Sequence, residues 1–97
     1  MGADIKGQCR FLVEGVLRDL ANIDGHIQEA SKHWSLERIA KTDKILLRVA
    51  IFELLHTAQP LSVILNNAIN LAKEYGSESS GAFVNGLLDT IAKKLRA

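Results

Sequence analysis

Ninety-seven residues, 47% of them hydrophobic and 24% charged, describe one small domain with enough apolar material for an efficient core. Twelve Lys and Arg against eleven Asp and Glu leave a net charge of +1, so no global field draws the chain to nucleic acid or to an anionic membrane. The one cysteine, Cys9, excludes an intrachain disulfide, points to a reducing compartment and reads as a small apolar residue on a helix.

The opening "MGADIKGQCR" has no apolar stretch of the kind a signal peptide carries, and later apolar runs are broken by charge every few residues. A cytoplasmic protein without membrane spans is expected. One proline in the whole chain, with Val, Ile and Leu spaced by three and four, predicts helices throughout. The first helix is expected from Asp4 to Ala30. Its stripe runs through Phe11, Val13, Val16, Leu17, Leu20, Ile23 and Ile27, wide enough in its first half to ask for two neighbours.

Ser35 is positioned to cap a short helix, Leu36 to Ala40, and Thr42 to cap "DKILLRVAIFELLHT" up to Thr57. Asp43 falls in the first turn of that segment, where the helix dipole favours a carboxylate. The segment is the most apolar in the chain and predicts a central helix. Glu53 stands nine residues from Lys44, on the opposite side, and would need a partner. After Pro60, Ser62 is a candidate cap for "VILNNAINLAKEY", with Asn66 and Asn70 on one face and Gly76 as the expected left-handed residue that ends it. The last helix is expected over Ser80–Leu95, with Lys93, Lys94 and Arg96 at its C-terminal end. The whole is an all-α bundle of about five helices.

The stretch "GSESSGAFVNG", from Gly76 to Gly86, has the glycine and serine content of a phosphate cradle. It lacks the strand, the lysine and the following hydroxyl of a P-loop, so that chemistry is excluded. No serine sits in a nucleophile elbow. His26, His33 and His56 lack metal-ligand spacing, and one cysteine adds little. The carboxylate pairs Asp43 with Glu53 and Glu74 with Glu78 read as solvated faces. No enzyme, metal or cofactor is expected from these residues.

"WSLERIAKTDKILLRVAIFELL" and "VILNNAINLAKEYGSESSGAFVNGLLD", at their spacing, resemble the NusB family of bacterial transcription antitermination factors. The pattern extends from Phe11-Leu12-Val13-Glu14-Gly15-Val16 to Leu95. The resemblance implies a non-enzymatic helical protein that pairs with the ribosomal protein NusE and binds boxA-type RNA. It places RNA contacts at the junction of the last two helices, at Glu78, Ser79, Ala82 and Phe83. It places partner-protein contacts near the start of the central helix, at Glu37 and Asp43 with Arg38 and Lys44 beside them.

Departures accompany the likeness. No arginine-rich arm or further helices precede Phe11, which implies a single NusB-like domain shortened on its N-terminal side. Ser79 and Ala82 stand where relatives carry an acid and a lysine, and Asn67 and Asn70 where they carry glutamates. With helices missing, Phe11, Val13, Val16, Leu17 and Leu20 would lose cover, so a homodimer through these residues is expected. Two other classes stay open: a NusB-like interaction or self-associating domain without RNA affinity, and a detached RNA-guiding piece like those that precede certain ribosomal RNA cytosine methyltransferases.

Overall fold

The computed structural model describes residues 2–31 and 35–96, with side chains from Arg10 onward. Its elements are α1 (Gly2–Arg18), α2 (Leu20–Ala30), a 3-10 turn (Leu36–Arg38), α3 (Lys41–His56), α4 (Leu61–Tyr75) and α5 (Ser80–Leu95). Among the described residues there is no strand. Lys32, His33 and Trp34 lie outside the described residues, as does the side chain of Cys9.

Helix α3 is the axis of the bundle, in contact with α1, α2, α4 and α5. Ile23 and Ile27 of α2, Leu47 and Ile51 of α3, Ile64 of α4, and Val84 and Leu88 of α5 are fully buried around it. Each contributes about 1.5–3 kcal/mol by leaving water. Two glycines set close approaches. A Cβ on Gly15 would stand 2.3 Å from the Phe52 ring, so α1 lies against α3 only because position 15 has no side chain.

Four sequence expectations need correction. The expected Asp4–Ala30 helix starts earlier and is two helices, broken at Asp19, whose φ of −107° and ψ of 18° leave the helical well. The Asp19 carboxylate accepts hydrogen bonds from Asn22 at 3.2 Å and His56 at 3.0 Å, which compete with the regular helix. The Leu36–Ala40 helix is one 3-10 turn ending at Arg38. Neither Thr42 nor Ser62 caps a helix: α3 and α4 begin behind Ala40 and Pro60, with no side-chain cap. Gly76 has a φ of −94°, not a left-handed one. What requires glycine there is crowding, since a Cβ would meet the Ser80 side chain at 2.4 Å and the Ala72 carbonyl at 2.7 Å.

Arg96 also departs from its expected role. Its guanidinium donates to the carbonyls of Leu54 at 3.2 Å, Gln59 at 2.6 Å, Glu53 at 3.3 Å and Thr57 at 3.0 Å. It therefore satisfies the end of α3 and not that of its own helix. The Glu53 carboxylate has no ion-pair partner among the described residues, and burial raises its pKa above the ordinary glutamate value.

Candidate functional site

The α4–α5 corner is built by Gly76. Its bare Cα lets the chain turn so tightly that the buried Ser80 Oγ accepts from the Ser77 N–H at 2.9 Å and lies 3.1 Å from Ser77 Oγ. That side chain locks the loop to the first turn of α5. In that turn the N–H groups of Ser80 and Phe83 are taken by the carbonyls of Ser77 and Ser79. Ser79 supplies no side-chain cap, so the helix start keeps unsatisfied donors.

Glu78, Ser79 and Ala82 are exposed around this start, while Phe83 is half-buried and packs one side against the core. Lys73 of α4 joins them, a residue that sequence reasoning missed. Its Cγ and Cε would lie 3.0 and 3.4 Å from a Cβ on Gly81, so its stem rests across the first turn of α5. Lys73 is exposed and makes no ion pair among the described residues. The signal that could have found it is Gly81: a glycine inside a helix start leaves room for a long side chain from its neighbour.

The second predicted group divides. Glu37 and Arg38 are exposed on the 3-10 turn, Lys44 is half-buried, and Asp43 is only 6% exposed. Asp43 Oδ1 has no hydrogen-bond partner among the described residues. A buried carboxylate oxygen without a donor is costly, and such an oxygen is a ready acceptor for an incoming cationic side chain.

The third group lies where α1 and the start of α2 meet α3. Val13, Val16, Leu17 and Leu20 line a shallow groove of about 180 Å3 together with Ile45, Arg48 and Val49. Phe11 is not among its walls; its ring packs edge-on against Phe52, with centroids 5.5 Å apart. Arg48 is held at the groove by a two-pronged pair with Asp24, at 2.8 and 2.9 Å, that ties α2 to α3. A larger hollow of about 480 Å3 separates α2 from α5, lined by His26, Glu29, Thr90, Lys93 and Lys94. Its two lysines are already engaged, Lys93 by Asp89 at 3.1 Å and Lys94 by Glu29.

Among the described residues no group of three or more His, Cys, Asp or Glu is placed to hold a metal. No helix among them is long and apolar enough to cross a membrane.

The NusB family profile matches residues 2–93. This chain belongs to the NusB family. It is 52% identical over 84 residues to the transcription antitermination protein NusB of Anaeromyxobacter dehalogenans, covering 87% of this chain and 59% of that protein. The NusB of Sorangium cellulosum is also 52% identical, over 85 residues, with 87% and 61% covered. The chain thus spans about three fifths of the length of these relatives, which are named for transcription antitermination and not for an enzyme activity.

The fold agrees with the family. T. maritima NusB superposes with a TM-score of 0.88 at 42% identity, over 92% of this chain and 63% of that one. A chain in the crystal structure of a plectonemic RNA supercoil superposes with a TM-score of 0.82 at 30% identity, over 88% and 62%.

Proposed function

We propose that this chain is an RNA- and protein-binding module of the transcription antitermination type, which pairs with the ribosomal protein NusE and binds boxA-type RNA. The observation that carries the reading is Lys73 lying across the open first turn of α5. A cation at a helix N-terminus opposes the dipole unless an anion joins them, and an RNA phosphate is such an anion. Lys73 thereby supplies the charge that Ala82 does not. Glu78 and Ser79 border the same spot, and the outer side of the Phe83 ring offers a stacking surface for an unpaired base.

NusE is placed at the other corner, against Glu37, Arg38, Asp43 and Lys44. The two acids suit a basic ribosomal protein, and the unpartnered Asp43 Oδ1 would accept from one of its cationic side chains.

Fluorescence anisotropy of a labelled boxA-type RNA, with and without NusE and at two salt concentrations, tests the reading. Binding is expected to need NusE and to weaken with salt. Lys73→Ala should lower the salt dependence by roughly one phosphate contact, a slope change of about 0.7. Phe83→Leu, which keeps apolar bulk and removes the ring, should weaken binding without unfolding the chain. A folded chain that binds no RNA under any of these conditions overturns the proposal. It would leave the second reading, a NusB-like interaction domain without RNA affinity, which the exposed apolar residues of α1 favour.

A further inference from the structure

The hollow between α2 and α5 has a volume of about 480 Å3, inside the ~300–1,000 Å3 range of small-molecule sites and more than twice that of the α1–α3 groove. Most of its surface is apolar, with the buried Ile91 and the half-buried Ala30 among its walls. Its polar groups come from two sides: His26 and Glu29 from α2, and Thr90, Lys93 and Lys94 from α5.

These groups select the occupant. The Thr90 hydroxyl gives its proton to the Gly86 carbonyl at 3.1 Å, so His26 and the two lysines are the donors left for a ligand. Each lysine is held by one carboxylate: Lys93 by Asp89 at 3.1 Å within α5, and Lys94 by Glu29 from α2. All four of these side chains are more than half exposed. Exposed pairs contribute little in water, so either ammonium can exchange its partner for a bound anion at small cost. Glu29 is the one carboxylate among the described walls, too few for a metal ion. A polyphosphate would bring its further charges against Glu29 and Asp89. A single carboxylate on an apolar body satisfies both halves of the hollow, the charge meeting the lysines and the body covering Ile91 and Ala30.

We infer that the α2–α5 hollow is a binding site for a small carboxylic acid with an aromatic or branched apolar body. Its carboxylate accepts from Lys93 and Lys94, and its body lies on Ile91 and Ala30 beside the His26 ring. Glu29 competes with the ligand for Lys94 and gives it up on binding. Thr90 stands ten residues beyond Ser80, about 15 Å along α5 at ~1.5 Å per residue, so the site is separate from the α4–α5 corner and does not depend on RNA binding there.

Proton–nitrogen correlation NMR of the 97-residue chain, titrated with cinnamate, phenylacetate and isovalerate and with the uncharged amide of each, tests it. At least one acid should bind saturably with a Kd on the order of 1 mM or tighter, and shifts should concentrate at residues 26–30 and 90–94. Its amide should bind about tenfold more weakly. Lys94→Gln should weaken the acid about tenfold, whereas Glu29→Gln, which removes the competitor, should tighten it about threefold. Both residues are exposed, so neither change should alter the far-ultraviolet circular dichroism spectrum. If the Glu29–Lys94 pair serves only to hold α2 to α5, the two substitutions act in the same direction, and the inference falls. Shifts scattered over the surface, an amide that binds as well as its acid, or no saturable binding by any of the three acids at millimolar concentration overturns it equally.

Discussion

The two ends of α3 are finished in opposite ways. At the C-terminal end the Glu53 carbonyl accepts from the Thr57 N–H at 3.1 Å and from Thr57 Oγ1 at 2.7 Å, and Arg96 reaches four carbonyls of the end and the following loop. His56 is tied to Asp19. At the N-terminal end Ala40 offers no side-chain cap, and Asp43 is buried with one oxygen unpartnered among the described residues. Saturated hydrogen bonding holds a chain in place, whereas an unsatisfied buried group keeps free energy in reserve for a partner. The first end is a structural clamp. The second is where partner-protein contacts are proposed.

The largest expected effect is at the clamp. Arg96→Ala leaves the α3 end without its cation and should cost about 2–3 kcal/mol in urea denaturation. Arg96→Lys should recover only part of that, because an ammonium cannot span carbonyls from Glu53 to Gln59. If Arg96→Ala unfolds at the wild-type midpoint, the two ends do not differ as described.

At the open end the expected sign is reversed. Asp43→Asn removes a buried charge that has a free oxygen, so the isolated chain should be unchanged or more stable, by up to about 1 kcal/mol. NusE affinity should fall in the same variant. A loss of stability comparable to that of Arg96→Ala would make Asp43 a structural group.

Two smaller effects depend on pH. Burial holds the Glu53 carboxyl above the ordinary value of 4.5, so the folded chain binds a proton more readily than the unfolded chain. Its ionised form is then a cost above that range, and the cost disappears as the solution becomes more acid than the unfolded value. Glu53→Gln should therefore stabilise the chain at neutral pH by under about 1 kcal/mol, since the group is partly wet, and should make no difference near pH 3. Asp19 shifts the other way, lowered first by the hydrogen bond to His56 and then by that to Asn22. Its contribution is present above the ordinary value of 3.8 and is lost as pH falls through the lowered range. Asp19→Asn should lower the melting temperature slightly at neutral pH and leave it unchanged in strong acid.

How much of this was legible in the residues can be followed along α5. Its span, Ser80–Leu95, follows from the spacing of Phe83, Val84, Leu87, Leu88, Ile91 and Leu95, because one helix burying one stripe writes its period into the chain. The family is legible by resemblance and not by period: "VILNNAINLAKEYGSESSGAFVNGLLD" is similar to the family's own run of packing and corner residues. Helix ends were less legible. Thr42 and Ser62 have good capping side chains but sit inside their helices, because where a helix begins depends on how the preceding segment is packed.

The expectation that α3 is the most apolar helix does not hold, since α4 and α5 are more apolar. Composition and periodicity by themselves determined that the chain is an all-helical bundle, and a residue-by-residue resemblance pointed to its family. Both rest on local order, which survives in one dimension. Only the tertiary structure decided that Gly76 is required by Ser80 and not by a left-handed backbone, that Lys73 covers Gly81, that Arg96 closes α3, and that Ile45 joins α1 at an open groove. Each of these depends on a through-space distance between residues as much as 43 positions apart, which no local pattern of side chains encodes.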